Sequence, residues 1–80
     1  MPRIDVRLFA SLRRYVPDLA PGEPLSLEVP PGTTVRELLE RLHIPRHEVK
    51  TVFVDYRAVS EQYAVQEGDR VSVFPPVAGG

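Results

Sequence analysis

Gly32-Thr33-Thr34-Val35-Arg36-Glu37-Leu38-Leu39-Glu40-Arg41-Leu42 carries the clearest helical pattern in the chain. Val35, Leu38, Leu39 and Leu42 fall at i, i+3, i+4 and i+7, which lines one face with apolar side chains and leaves Arg36, Glu37, Glu40 and Arg41 on the wet side. Thr34 followed three residues later by Glu37 is a capping box, in which the Thr hydroxyl accepts from the Glu N–H and the Glu carboxylate reaches back. Pro30-Pro31-Gly32 breaks the chain before it, and Pro45 predicts a helix end at about His43. Glu37 and Arg41 are placed for a favourable i,i+4 pair.

On either side of this helix the period changes from 3.6 to 2. Ile4, Val6 and Leu8 alternate with Arg3, Asp5, Arg7 and Phe9, and Leu25, Leu27 and Val29 alternate with Ser26 and Glu28, as strands with one buried face do. A short helical turn at 11–15 and the loop Pro21-Gly22-Glu23-Pro24 connect the two into an N-terminal hairpin. After the helix, Val52-Phe53-Val54 starts a third strand, Arg57 to Val59 gives a short fourth, and Val71 and Val73 follow the turn Glu67-Gly68-Asp69 in a last one. The order β-β-α-β-β-β implies an α+β fold: a mixed sheet of about five strands packed on one main helix. The hairpin-first, helix-across arrangement points to a ubiquitin-like β-grasp. Strands one and five are then neighbours, with a domain over 1–74 and an extended tail over 75–80.

Eighty residues suffice for one domain, which buries only about 60% of the surface its unfolded chain exposes. A net charge of −1 does not favour nucleic acid, which needs a cationic excess to neutralise phosphates. No apolar run approaches a membrane span, and Met1-Pro2-Arg3-Ile4-Asp5 does not open a signal peptide, so the expected location is the cytoplasm. The lack of cysteine excludes disulfides and thiolate–metal staples and leaves the chain without a thiol nucleophile. His43 and His47 are four apart, but Pro45 interrupts any shared helix, so no metal site is expected. Glu37, Glu40, Glu48 and Glu67 read as caps and solvated charges, Ser11 and Ser60 lack a nucleophile elbow, and no nucleotide-binding glycine loop is present.

The last six residues, Pro75-Pro76-Val77-Ala78-Gly79-Gly80, read as a presented terminus. Pro75 and Pro76 fix φ and remove two N–H donors, which stiffens the stalk. Gly79 and Gly80 carry no Cβ, so the final peptide fits a channel too narrow for a side chain. A frayed end is the plainer alternative. Strand parity gives the second pointer. With Ile4, Val6 and Leu8 facing the helix, Phe9 faces the other way, and with Val71 and Val73 facing it, so does Phe74. Phe9 and Phe74 then form an apolar patch at the root of the tail, unless loops cover them. Arg3, Arg7 and Arg70 share that face, either to meet an acidic partner or as an ordinary solvated surface.

Leu8-Phe9-Ala10, Gly32-Thr33-Thr34-Val35-Arg36-Glu37-Leu38-Leu39, Glu67-Gly68-Asp69-Arg70-Val71 and Phe74-Pro75-Pro76-Val77-Ala78-Gly79-Gly80 together resemble the MoaD/ThiS sulfur-carrier family over essentially the whole chain. The closing segment is more similar to the molybdopterin synthase small subunit than to the thiamine carrier. The resemblance implies that an E1-like enzyme adenylates the Gly80 carboxylate with ATP and that sulfur from a persulfide donor displaces AMP. The Gly80 thiocarboxylate would then pass its sulfur on in the active site of the molybdopterin synthase large subunit, in molybdenum cofactor biosynthesis. The carrier itself would bind no cofactor, ATP being used by its partner. A carrier for thiamine or another pathway, and a ubiquitin-like modifier conjugated through Gly80, are the alternatives. By the same resemblance Phe9, Ala58 and Phe74 match the family's partner-binding patch. Many relatives carry an Asn-Gly type turn where this chain has Asp55-Tyr56-Arg57. Tyrosine resists the left-handed conformation, so a different turn or a longer loop is expected there.

Overall fold

Thr34 caps the helix reciprocally in the computed structural model, which describes residues 1–20 and 22–76. Its hydroxyl accepts from the Glu37 N–H at 3.2 Å, and the Glu37 carboxylate accepts from the Thr34 N–H at 2.9 Å. Two further first-turn donors are met from outside: the Val35 and Arg36 N–H groups donate to the carbonyls of Tyr63 and Glu61 at 2.9 and 2.8 Å. The connector that follows the fourth strand therefore seats the start of the helix by satisfying donors that no helix can satisfy internally.

The helix, α1, runs Val35–Arg41 and ends earlier than Pro45 implies. His43 adopts φ 61°, its N–H donates to the Glu40 carbonyl at 3.0 Å, and the Ile44 N–H donates to the Leu39 carbonyl at 3.0 Å. This is a Schellman termination, completed by burial of both Ile44 and Leu39 in the core. The expected Glu37–Arg41 ion pair is replaced by Arg36–Glu40 at 3.6 Å, because the Glu37 carboxylate is engaged at the cap.

Five strands follow the expected order: β1 (Arg3–Leu8), β2 (Leu25–Glu28), β3 (Thr51–Val54), β4 (Arg57–Val59) and β5 (Arg70–Phe74). Short 3-10 helices cover Ala10–Tyr15 and Arg46–Glu48. The sheet order is β2-β1-β5-β3-β4, with β1 and β5 parallel and every other pair antiparallel. The chain thus has the ubiquitin-like β-grasp fold. Ile4, Val6, Val71 and Val73 on the inner face are at most 1% exposed and share a core with Val35, Leu38 and Leu39 of α1. Burying each of these side chains contributes about 1.5–3 kcal/mol before chain entropy is set against it.

The β3–β4 connection is a two-residue loop, not a longer one. Val54 pairs with Arg57, and between them Asp55 and Tyr56 have φ values of 50° and 73°. Positive φ at both central residues is the type I′ signature, whose twist matches that of the flanking strands. Tyr56 therefore takes the conformation its side chain disfavours, and the pairing of β3 with β4 holds it there. Before β5 the chain turns through Gly68, at φ 84°, and the Asp69 carboxylate accepts from the Gln66 N–H at 2.8 Å and the Tyr63 hydroxyl at 2.9 Å.

Candidate docking face at the root of the tail

The inner face of the sheet is filled by aliphatic side chains; the outer face carries aromatic and charged ones. Register places Arg7 beside Ser72, Ser72 beside Phe53, and Phe53 beside Ala58, so one row crosses β1, β5, β3 and β4. The next row toward the tail holds Phe74 beside Thr51. Phe9 joins it because its N–H donates to the Val73 carbonyl at 3.2 Å, which carries the strand alternation one residue past Leu8. At Ala10, φ 52°, the backbone turns away into the first 3-10 helix.

Three aromatic rings meet there. Phe9 and Phe74 are stacked, with ring centroids 4.5 Å apart and planes 9° apart, and Phe53 meets Phe74 edge-on at 5.6 Å and 80°. All three are half-buried. Arrangements of this kind contribute about 0.5–1.5 kcal/mol per pair beyond the area they bury. A groove of about 370 Å³ opens on one side, bounded by the three rings with Arg7, Arg70, Ser72, Asp55 and Tyr56. A larger depression of about 710 Å³ is lined by Phe53, Phe74, Pro75 and Pro76 together with Lys50 and Thr51. Phe53 and Phe74 line both.

Of the residues singled out from sequence, Phe9 and Phe74 are in direct contact, while Ala58 stands exposed opposite Phe53 and beyond the groove's lining. Arg3, Arg7 and Arg70 are exposed and make no ion pair among the described residues. Pro75 and Pro76 continue from β5, whose last carbonyl, that of Phe74, accepts from the Lys50 N–H at 2.8 Å. The tip residues Val77, Ala78, Gly79 and Gly80 lie outside the described residues. Sequence reasoning passes over Phe53 and Tyr56. The alternation of Val52 and Val54, both buried, already turns Phe53 outward, whereas nothing local places Tyr56 beside it.

The remaining polar groups are accounted for by structure. Arg14 and the Tyr15 hydroxyl converge on the Glu48 carboxylate, the hydroxyl at 2.9 Å, which ties the two 3-10 helices together. The Glu67 carboxylate accepts from the Arg3 N–H at 3.0 Å. Asp69 pushes the Tyr63 phenol above its ordinary range, first through the hydrogen bond it accepts and then with the help of partial desolvation. His43 sits in the helix termination and His47 in the second 3-10 helix, and no cluster of three or more metal-ligating side chains occurs among the described residues. No helix among them is long and apolar enough to cross a membrane.

A β-grasp sheet whose central strand leads straight from an aromatic outer face into paired prolines defines a ubiquitin-like protein. The chain belongs to the ThiS family, whose model matches residues 6–80. The Haloferax volcanii HVO 2177 protein, known from a solution structure, is 31% identical with a TM-score of 0.76, over 99% of this chain and 87% of that one. A Pyrococcus furiosus protein named for subunit 1 of a molybdopterin converting factor is 27% identical with a TM-score of 0.74, over 96% of this chain and all of that one. The fold is also that of a chain in the complex of subunits 1 and 2 of the Helicobacter pylori molybdopterin-converting factor, at 19% identity and a TM-score of 0.61 over 98% of this chain and 99% of that one. Among curated proteins no sequence matches.

Proposed function

We propose that this protein is a sulfur carrier that works through the Gly80 carboxylate and supplies molybdopterin synthesis in the cytoplasm. The observation that carries the reading is the stacked Phe9–Phe74 pair at the root of a Pro-Pro, Gly-Gly segment in a ThiS-family chain. A carboxylate is a poor electrophile because attack on it must expel oxide. An E1-like enzyme would convert it with ATP into an acyl adenylate, releasing pyrophosphate. A persulfide would then attack the acyl carbon and expel AMP, and a thiol would reduce the resulting acyl disulfide to the thiocarboxylate. The carrier contributes no side chain to these steps; it contributes a face to grip and a slim end to thread. In the same reading the molybdopterin synthase large subunit grips that face next, as the pairing of subunits in the Helicobacter pylori complex suggests by analogy.

Incubation with the E1-like enzyme of the same organism, ATP and a persulfide donor should raise the intact mass by the difference between one sulfur and one oxygen. No change, with an enzyme that releases pyrophosphate on another carrier, would reject the proposal. Subsequent sulfur transfer in the presence of the large subunit assigns the molybdopterin pathway. Transfer only to a thiazole-forming acceptor would assign the thiamine pathway instead. A ladder of lysine adducts surviving denaturation would mark a protein modifier.

A further inference from the structure

Tyr56 combines two properties that rarely coincide. It is a bulky residue at φ 73°, and it is 87% exposed. Nothing in the fold requires a ring there: a type I′ turn is made more easily by glycine or asparagine at this position. A disfavoured backbone conformation that serves no packing purpose points to function. The ring borders the groove shared by Phe53 and Phe74, and the same groove carries Arg7 and Arg70, against which Asp55 supplies the single carboxylate. Neither arginine forms an ion pair among the described residues.

We infer that Tyr56 is a partner-contacting residue that extends the aromatic face around the groove, and that the occupant is a protein segment presenting an aliphatic or aromatic side chain next to a carboxylate. The apolar side chain would fill the space between Tyr56, Phe53 and Phe74, and the carboxylate would meet Arg7 and Arg70. Charge complementarity argues for this occupant: two cations that pair with no described residue line the groove beside the aromatic rings, so an acidic apolar segment is favoured and a basic one is repelled. The inference rests on the carrier reading in taking that partner to be the adenylating enzyme.

The test compares wild type, Tyr56→Asn, Tyr56→Phe and Arg70→Glu for thermal midpoint and for affinity to the purified E1-like enzyme. Tyr56→Asn should raise the midpoint by roughly 4 °C, since the turn is relieved, and weaken binding about tenfold. Tyr56→Phe should bind like wild type, and Arg70→Glu should weaken binding and flatten its salt dependence. A residue with a merely structural role would not lose affinity while gaining stability. Unchanged affinity in Tyr56→Asn, or a lowered midpoint, overturns the inference while wild-type binding keeps the carrier reading intact. Failure of the wild type itself to bind an active enzyme overturns both. Self-association of the wild type that Tyr56→Asn abolishes would assign the groove to a second copy of the chain and overturn the separate partner.

Discussion

Phe9 lies flat against Phe74, rings 4.5 Å apart at the centroids and within 9° of parallel, although one residue directly follows the first strand and the other ends the last. The contact follows from parallel pairing of β1 with β5, which brings Leu8 level with Val73 and leaves the next residue of each strand on the opposite face. Phe74→Ala should destabilise the protein by about 2 kcal/mol, because it removes contacts with both Phe9 and Phe53. Phe9→Ala should cost less, and the double mutant should show a coupling of about 1 kcal/mol in urea denaturation.

His43 closes α1 in a conformation that favours glycine. His43→Gly should stabilise the protein by about 1 kcal/mol, because glycine adopts the left-handed position without the Cβ clash and the two capping hydrogen bonds are backbone ones. The thermal midpoint is the direct readout. A loss of stability would mean that the imidazole contributes something the hydrogen bonds do not.

Tyr63 makes stability sensitive to alkali. Its phenol donates to Asp69 and is raised above 10 in the folded state, so its contribution is fully present below the unfolded pKa and is lost as pH rises through the folded one. Wild type should therefore lose stability above about pH 10 more steeply than Tyr63→Phe, the two curves converging at high pH. Parallel curves over that range would rule out the linkage.

Deleting Gly79 and Gly80 should leave the unfolding free energy unchanged within about 0.5 kcal/mol, since the deletion removes none of the described core residues. It should also abolish thiocarboxylate formation by the adenylating enzyme. Retained partner binding by the truncated chain would separate grip from chemistry, and retained sulfur loading would refute the role given to Gly80.

Strand order, the capping box and the two-faced sheet are legible in the sequence because each rests on local periodicity or on a spacing of a few residues. Thr34 with Glu37 specifies the helix start by itself, and Val52 with Val54 specifies which way Phe53 points. His43 and Tyr56 are different. Each is held at positive φ by structure made elsewhere, His43 by the burial of Ile44 beside Leu39 and Tyr56 by the Val54–Arg57 pairing, so the helix ends two residues before the end read from Pro45, and Tyr56 sits in a tight turn that its own preference argues against. The Arg36–Glu40 pair was likewise hidden, because the spacing of Glu37 and Arg41 says nothing of a carboxylate already engaged by Thr34.

The aromatic face is assembled from β1, β3 and β5, segments that lie apart along the chain and become neighbours only when the sheet closes. β5 follows β1 and β3 in the chain, and it completes that face immediately before the prolines. An unfolded or truncated copy would carry the same final residues without any surface to accompany them. On the proposed carrier function, a partner that grips the face before acting on the end would thereby distinguish a folded chain from an unfolded one.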